Sequence, residues 1–225
     1  MRADLRFGSL SRRAGSITLG TALMVGLAAM PTSLAAQYIT TFVGFYVPTI
    51  GFYERENLIA PGDKYTWKHK SNFVLGGRIG SPVSRKVGFE IAIGYSPAKA
   101  ELTYSDPSGA ETVTEESAGL ILGSARVLMK VGPQASKVAI QLMAGVGVVS
   151  HVGNVYDEFY ITQGTTDIGG LLGIATRFAV APTIAIRLDL ENHLFFSKFW
   201  DAVGGASETK PQSDLVLSLG LEMIP

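Results

Sequence analysis

Residues 87–95 alternate without a break. Val87, Phe89, Ile91, Ile93 and Tyr95 occupy one set of positions, and Gly88, Glu90, Ala92 and Gly94 the other. Successive side chains of an extended strand point to opposite faces, so this segment has one apolar face and one small or charged face. The pattern returns at 184–191, where Ile184, Ile186, Leu188 and Leu190 alternate with Ala185, Arg187, Asp189 and Glu191. It returns again at 214–223, with Leu215, Leu217, Leu219, Leu221 and Met223 set against Asp214, Val216, Ser218, Gly220 and Glu222. Reading the chain for period two predicts eight strands, approximately 39–47, 72–80, 87–95, 119–131, 138–149, 167–180, 184–195 and 214–223.

The connections between these strands alternate in length. Those after the second, fourth and sixth are short and carry a proline: residues 82–86, 132–137 and 181–183. Those after the first, third, fifth and seventh are long, polar and rich in turn formers, as in Ser105-Asp106-Pro107-Ser108-Gly109. Long structureless connections are uncommon in compact soluble domains, and four of them on one end form a pattern. The pattern predicts an all-β fold, an eight-stranded antiparallel transmembrane up-and-down β-barrel. Short turns lie on the periplasmic side, with both chain ends, and four long loops lie outside.

Residues 1–36 read as a secretory signal peptide. Arg2, Arg6, Arg12 and Arg13 precede an apolar stretch, which ends in Pro31-Thr32-Ser33-Leu34-Ala35-Ala36 with cleavage expected after Ala35 or Ala36. Residues 37–225 then form one barrel domain. Its composition carries fifteen bases against eighteen acids, so no basic surplus favours nucleic acid. The chain has no cysteine, which removes disulfides and thiolate chemistry. After residue 36 no stretch approaches the roughly 20 apolar residues of a spanning helix.

The second face of the strands is the unusual one. Continuing the register places Arg78, Glu90, Arg126, Lys130, Arg177, Arg187, Asp189, Glu191, Asp214 and Glu222 on it. Gly76, Gly80, Gly145, Gly147, Gly169 and Gly173 are interleaved with them. Glycine weakens a strand without adding packing, so this composition suits a narrow lumen in which small residues make room for long charged ones. Eight strands enclose an interior that side chains fill, and the expectation is an ion-paired core instead of a wide channel. A soluble lipocalin-like periplasmic barrel that binds a ligand also buries one strand face, and stands as an alternative. Tyr38 and Phe178 toward the short turns, and Phe45, Tyr46, Tyr95, Phe195, Phe196, Phe199 and Trp200 toward the long connections, are expected to form belts at the lipid headgroup level.

The run 169–178, the turn Ala181-Pro182-Thr183 and the strand 184–191 resemble the glycine-rich strand, tight turn and Arg/Glu strand of small outer-membrane barrels of the OmpA/OmpX and opacity-protein type. Residues 212–222 resemble their closing strand, and Val43-Gly44-Phe45-Tyr46-Val47-Pro48 their opening one. The resemblance implies a cell outer membrane location in a Gram-negative-type envelope. It also implies insertion by the barrel assembly machinery, contact with outer-membrane lipid and lipopolysaccharide, and a structural or adhesin-like surface role.

Some such barrels are lipid A deacylases, which gives a second functional reading. That type uses a histidine and a serine two apart on a strand. Here the candidates are His193 with Ser197, four apart, and the adjacent Ser150-His151, and neither spacing sets the two side chains side by side on one face. The expectation is therefore no enzymatic activity, with His193 a polar residue near the outer rim, beside Glu191 in register. His69, within Lys68-His69-Lys70, is expected to be solvated in a basic loop segment. No metal cluster, phosphate loop or nucleotide fingerprint occurs, so no cofactor is expected. Contact with an extracellular ligand or surface partner falls to the loops. The second, 99–116, is acidic, whereas the first mixes Arg55, Lys64, Lys68 and Lys70 with Glu54, Glu56 and Asp63.

Overall fold

In a computed structural model of the protein, the alternating segments form long antiparallel strands that close on themselves. The structure describes residues 38–50, 53–56, 62, 64–132, 137–153, 155–156, 166–200 and 207–224, with the side chains of 53–56, 65, 199–200 and 207–208 outside that description. The predicted signal peptide lies outside the described residues.

The strands are β1 (Tyr38–Pro48), β2 (Tyr53–Glu56), β3 (Lys64–His69), β4 (Asn72–Pro82), β5 (Val87–Ser96), β6 (Lys99–Ser105), β7 (Glu111–Ser117), β8 (Gly119–Val131), β9 (Val138–Val152), β10 (Thr166–Ala181), β11 (Ile184–Trp200) and β12 (Ser207–Met223). Eight of them form a closed barrel in the order β1-β12-β11-β10-β9-β8-β5-β4. Every neighbouring pair is antiparallel, and β1 seals the ring by pairing with both β12 and β4. Closure leaves the barrel without an open edge, the condition for a sheet to sit in lipid. Among the described residues, no helix is long and apolar enough to cross a membrane.

The alternation sorts side chains as the sequence predicts. Ile91's neighbours Glu90 and Ala92 turn inward, while Ile93, Leu188, Leu190, Leu217, Leu219 and Leu221 stand exposed on the outside. An apolar exterior around a polar interior reverses the soluble arrangement, and it is stable only in an apolar solvent.

Aromatic residues correct part of the belt expectation. Phe45 and Phe196 point outward at 64% and 69% exposure, but their chain neighbours Tyr46 and Phe195 are 1% and 5% exposed inside the barrel. Adjacent residues of one strand cannot both face lipid. Tyr38 is also interior, donating its hydroxyl hydrogen to Glu90 Oε2 at 3.1 Å. The outward aromatics that remain include Phe73, Tyr95 and Phe178, whereas Phe199 and Trp200 have side chains outside the description.

The short turns are tight. Val83 and Ser84 both donate backbone N–H groups to Val87 O, at 2.8 and 2.9 Å, and a register shift between Ala179 and Ala181 precedes the Pro182-Thr183 turn. The long connections differ from expectation. The first two are strands: β2 pairs with β3, β3 with β6, and β6 with β7, making a separate four-stranded sheet. At the β6–β7 turn, Asp106 Oδ1 accepts N–H bonds from Ser108 and Ala110 at 2.8 and 2.9 Å, and Gly109 takes φ +83°. This chemistry suits a sharp reversal. The fourth connection shrinks to residues 201–206, because β11 and β12 stay paired out to Trp200 and Ser207. Pro211 sits inside that extension without breaking it. Beyond Pro48↔Asp214 β12 has lost β1 as a neighbour, and an edge tolerates a missing N–H.

Candidate functional site

Strand pleat fixes which residues enter the lumen, and barrel stagger sets the height at which they meet. Arg78 comes from β4, Glu90 from β5, Arg126 from β8, and Arg187, Asp189 and Glu191 from β11. All six are buried. Arg78 Nη1 lies 3.0 Å from Asp189 Oδ2, and Arg78 Nη2 donates to Glu191 Oε1 at 2.8 Å and to Ser218 Oγ at 2.6 Å. Arg126 Nε donates to Glu90 Oε1 at 2.7 Å, its Nη2 also bonds that oxygen, and its Nη1 lies 2.8 Å from Glu191 Oε2. Arg187 Nε donates to Asp189 Oδ1 at 2.8 Å, and its Nη1 bonds Glu90 Oε2.

Three guanidiniums and three carboxylates therefore form one neutral, cross-linked layer. The Arg78 guanidinium also lies 3.9 Å from the Phe42 ring centroid, a cation–π contact. Planar guanidiniums suit this work because their forked donors hold two carboxylates at once. Burial of so many charges is tolerable only when each is paired in this way.

The other charged lumen residues lie apart from the layer. Arg177 Nε donates to Glu222 Oε1 at 2.5 Å near the short turns, where Lys130 also stands. Asp214 lies toward the long connections and accepts the Tyr46 hydroxyl. Tyr46, Val74, Leu120, Leu122, Val149, Phe195 and Val216 fill the lumen on that side. Beside Glu191 and His193 a space of about 20 Å³ remains, and at the mouth another of about 10 Å³. Each is about the size of one water. On that side the interior is thus filled.

Interior glycines admit neighbours more than charges. A Cβ at Gly169 would strike the Leu194 carbonyl and come 2.7 Å from Phe195 Cβ, and one at Gly147 would come 3.0 Å from His193 Nδ1. Gly145 is the case nearest the expectation, with Arg126 Cβ 2.8 Å from the position of its absent side chain.

The histidines correct two expectations. His193 is buried in the lumen, away from the rim, with Nε2 3.7 Å from Glu191 Oε2. Ser197, four residues on, lies about 13 Å farther along the strand at strand rise, and donates to Asp167 Oδ2 at 2.5 Å. The enzymatic candidates His193 and Ser197 thus have separate partners, and no contact brings them together among the described residues. Ser150 bonds Thr166 Oγ1 at 3.0 Å, while His151 turns inward with Nδ1 3.7 Å from Asp167 Oδ2. His69 ends β3 and docks on the barrel mouth instead of standing in solvent. Its Nε2 is 2.7 Å from the Tyr156 hydroxyl, and its ring lies 6.0 Å from those of His151 and Tyr156 and 6.3 Å from Tyr46. Burial among these rings, and the neighbouring His151, lower the His69 pKa to about 3. Sequence reading missed this junction because its four rings come from three barrel or sheet strands and a connection, with no shared motif.

The separate sheet has its own ion pairs. Lys70 Nζ donates to Glu115 Oε1 at 2.5 Å and lies 3.5 Å from Glu101, and Lys99 Nζ lies 3.2 Å from Glu115. These bonds, Lys70's first, hold the Glu115 carboxyl below its ordinary pKa.

Known structures place this architecture. The outer membrane protein OprG from Pseudomonas aeruginosa superposes with a TM-score of 0.56 at 11% identity, over 85% of this chain and 98% of that one. The outer membrane protein AlkL, determined in DMPC lipid bilayers, superposes with a TM-score of 0.55 at 14% identity, over 88% of this chain and 94% of that one. The fold is that of the small outer-membrane barrels. No protein-family model and no curated protein matches the chain in sequence. Within this fold, the ionic layer is the part of the barrel that occupies the place of a pore.

Proposed function

We propose that the chain is a bacterial outer-membrane protein that is exported, loses residues 1–36, and spans the membrane as a closed, non-conducting barrel. Its role is to hold a surface structure in place. The short turns and both ends of the barrel face the periplasm, and the four-stranded sheet projects outside. The observation that carries this reading is the lumen closed by the Arg78, Arg126, Arg187, Glu90, Asp189 and Glu191 layer beneath a folded external sheet.

The sheet buries Trp67 and Ala100 against Ala118, Val155 and Tyr156 of the adjoining connections, so it is a packed structure, in contrast to slack loops. Its edge strand β7 is exposed and carries Glu111, Glu115 and Glu116. This supports a surface-interaction role in which an extracellular partner contacts the sheet, with outer-membrane lipid around the apolar exterior and the barrel assembly machinery inserting it. The dispersal of His193, Ser197 and Ser150 among separate partners favours a non-enzymatic role.

Fractionation with a surface-labelling readout tests the reading. A Val113→Cys variant, otherwise free of cysteine, should partition with the outer membrane, run as a heat-modifiable band, and react with an impermeant maleimide on intact cells. Recovery in the periplasm without detergent, or labelling only after lysis, would contradict it.

A further inference from the structure

The lumen is filled above the ionic layer but not below it. At the short-turn end a cavity of about 300 Å³ opens between β5, β8, β9, β10 and β12. Tyr38 lines it and bonds Glu90 of the ionic layer, so the filled lumen begins beyond the Tyr38 ring and the cavity opens toward the short turns.

Its charge is one-sided. Among the described lining residues, Arg85, Lys86, Lys130 and Arg177 face a single carboxylate, Glu222, which already accepts from Arg177. The layer above is neutral by contrast, so the positive surplus lies at the short-turn end, with Lys130 and Arg177 half-buried and Arg85 and Lys86 exposed on the turn at the mouth. A concave site lined by one sign of charge over low-dielectric walls concentrates the opposite ion. The walls between the charges are apolar: Leu128, Ala139 and the Tyr38 ring. One polar group points to a ligand in its own right. Gln141 Oε1 is buried there without a hydrogen-bond donor among the described residues. Such groups rarely remain unmatched in a native interior.

We propose that this vestibule binds a small anion with a phosphate or carboxylate head and a short apolar body. The basic side chains hold the head, Leu128 and Ala139 the body, and Gln141 accepts a hydrogen bond from a ligand hydroxyl. That the ligand arrives from the periplasm rests on the orientation proposed above, whereas its binding does not.

The test uses the folded barrel in zwitterionic micelles, with closure scored separately by the heat-modifiable gel shift, so that a failed barrel is distinguished from a barrel that ignores the anion. Hexyl phosphate, hexanoate and hexanol are titrated while the amide NMR signals of the inward-facing Gly88 and Ala139 are followed. Saturable shifts with either anion and not with hexanol are expected, and the tighter of the two identifies the head group. Arg85→Glu combined with Lys86→Glu should weaken binding at least tenfold. A second variant, Gly88→Val, obstructs the cavity sterically: its Cβ meets only ordinary contacts, 3.4 Å from Ser81 O and 3.8 Å from Leu128 Cβ, and the gel shift confirms that the barrel still closes around the added methyls. It should abolish the shifts. Equal response to hexanol, indifference to both variants, or shifts confined to residues 83–86, as a surrounding anionic lipid would cause, overturns the proposal.

Discussion

Glu90 on β5 and Arg187 on β11 are diametrically opposed: four steps around the eight-stranded ring separate them in either direction, yet Arg187 Nη1 bonds Glu90 Oε2 across the lumen. No backbone ladder links these strands. The contact is a strut, and with Arg126 bonding the same carboxylate it ties opposite walls together.

Removing one end of the strut leaves a buried charge without its partner. Arg187→Leu or Glu90→Leu should each destabilise the barrel by about 3–5 kcal/mol. The double variant should cost less than the sum of the two. Equilibrium urea unfolding in micelles, read by the heat-modifiable gel shift, measures both. Strictly additive losses would dissolve the strut.

One residue along, the same strand turns to lipid. Leu188 is exposed on the barrel exterior beside the buried Arg187. Leu188→Arg should cost about 2–4 kcal/mol if it lies near the bilayer midplane, and Val131→Arg, near the turns, about 0–1 kcal/mol. Unfolding from lipid vesicles provides the comparison, and similar costs at the two sites would contradict the depth assignment.

Glycines at neighbouring positions should respond oppositely. A Cβ at Gly169 meets the backbone of β11, whereas one at Gly170 meets nothing within 4 Å. Gly169→Ala should destabilise the barrel, while Gly170→Ala should be neutral or stabilising by about 0.5–1 kcal/mol, because alanine loses less conformational freedom than glycine in a strand. The same unfolding assay resolves them.

The docking of the external sheet should weaken in acid. His69 has a docked pKa of about 3, against about 6.5 when free. Between those values the undocked state holds a proton that the docked state lacks, so docking loses free energy as pH falls through the window and levels off below it. The groups facing His69 are Tyr46, His151 and Tyr156. In a Trp200→Phe background, emission from the buried Trp67 should shift to the red between pH 6.5 and 3, and His69→Phe should flatten that response. Glu115, already held below its ordinary pKa, contributes only at the acid end, and Glu115→Gln separates it. An unchanged response in His69→Phe would remove His69 from the junction.

How much of this was legible in the sequence depends on the distance over which each feature is encoded. Val87 to Tyr95 declare their two faces locally, and Pro182-Thr183 declares a turn, so strands, closure and inward charges can be read residue by residue. Lys64–His69 also alternates, with Tyr65, Trp67 and His69 against Lys64, Thr66 and Lys68, but its charges and brevity resemble a solvated loop. Pro211 reads as a strand end, and only the loss of β1 as a neighbour explains why it is not. The partner of each lumen charge is set by barrel stagger: Arg78 reaches Glu191, 113 residues away, for reasons no local pattern contains. Tyr46 and Phe195 read as headgroup-belt residues by their aromatic character, but strand parity with the outward Phe45 and Phe196 turns both into the lumen.

Planar-bilayer recording of the purified wild-type protein tests directly whether the charged layer closes the lumen. Discrete current steps should be absent across a range of voltages at neutral pH, because Arg78, Arg126 and Arg187 with Glu90, Asp189 and Glu191 leave only water-sized spaces above them. Reproducible porin-sized steps from a preparation that is fully heat-modifiable would contradict the closed barrel.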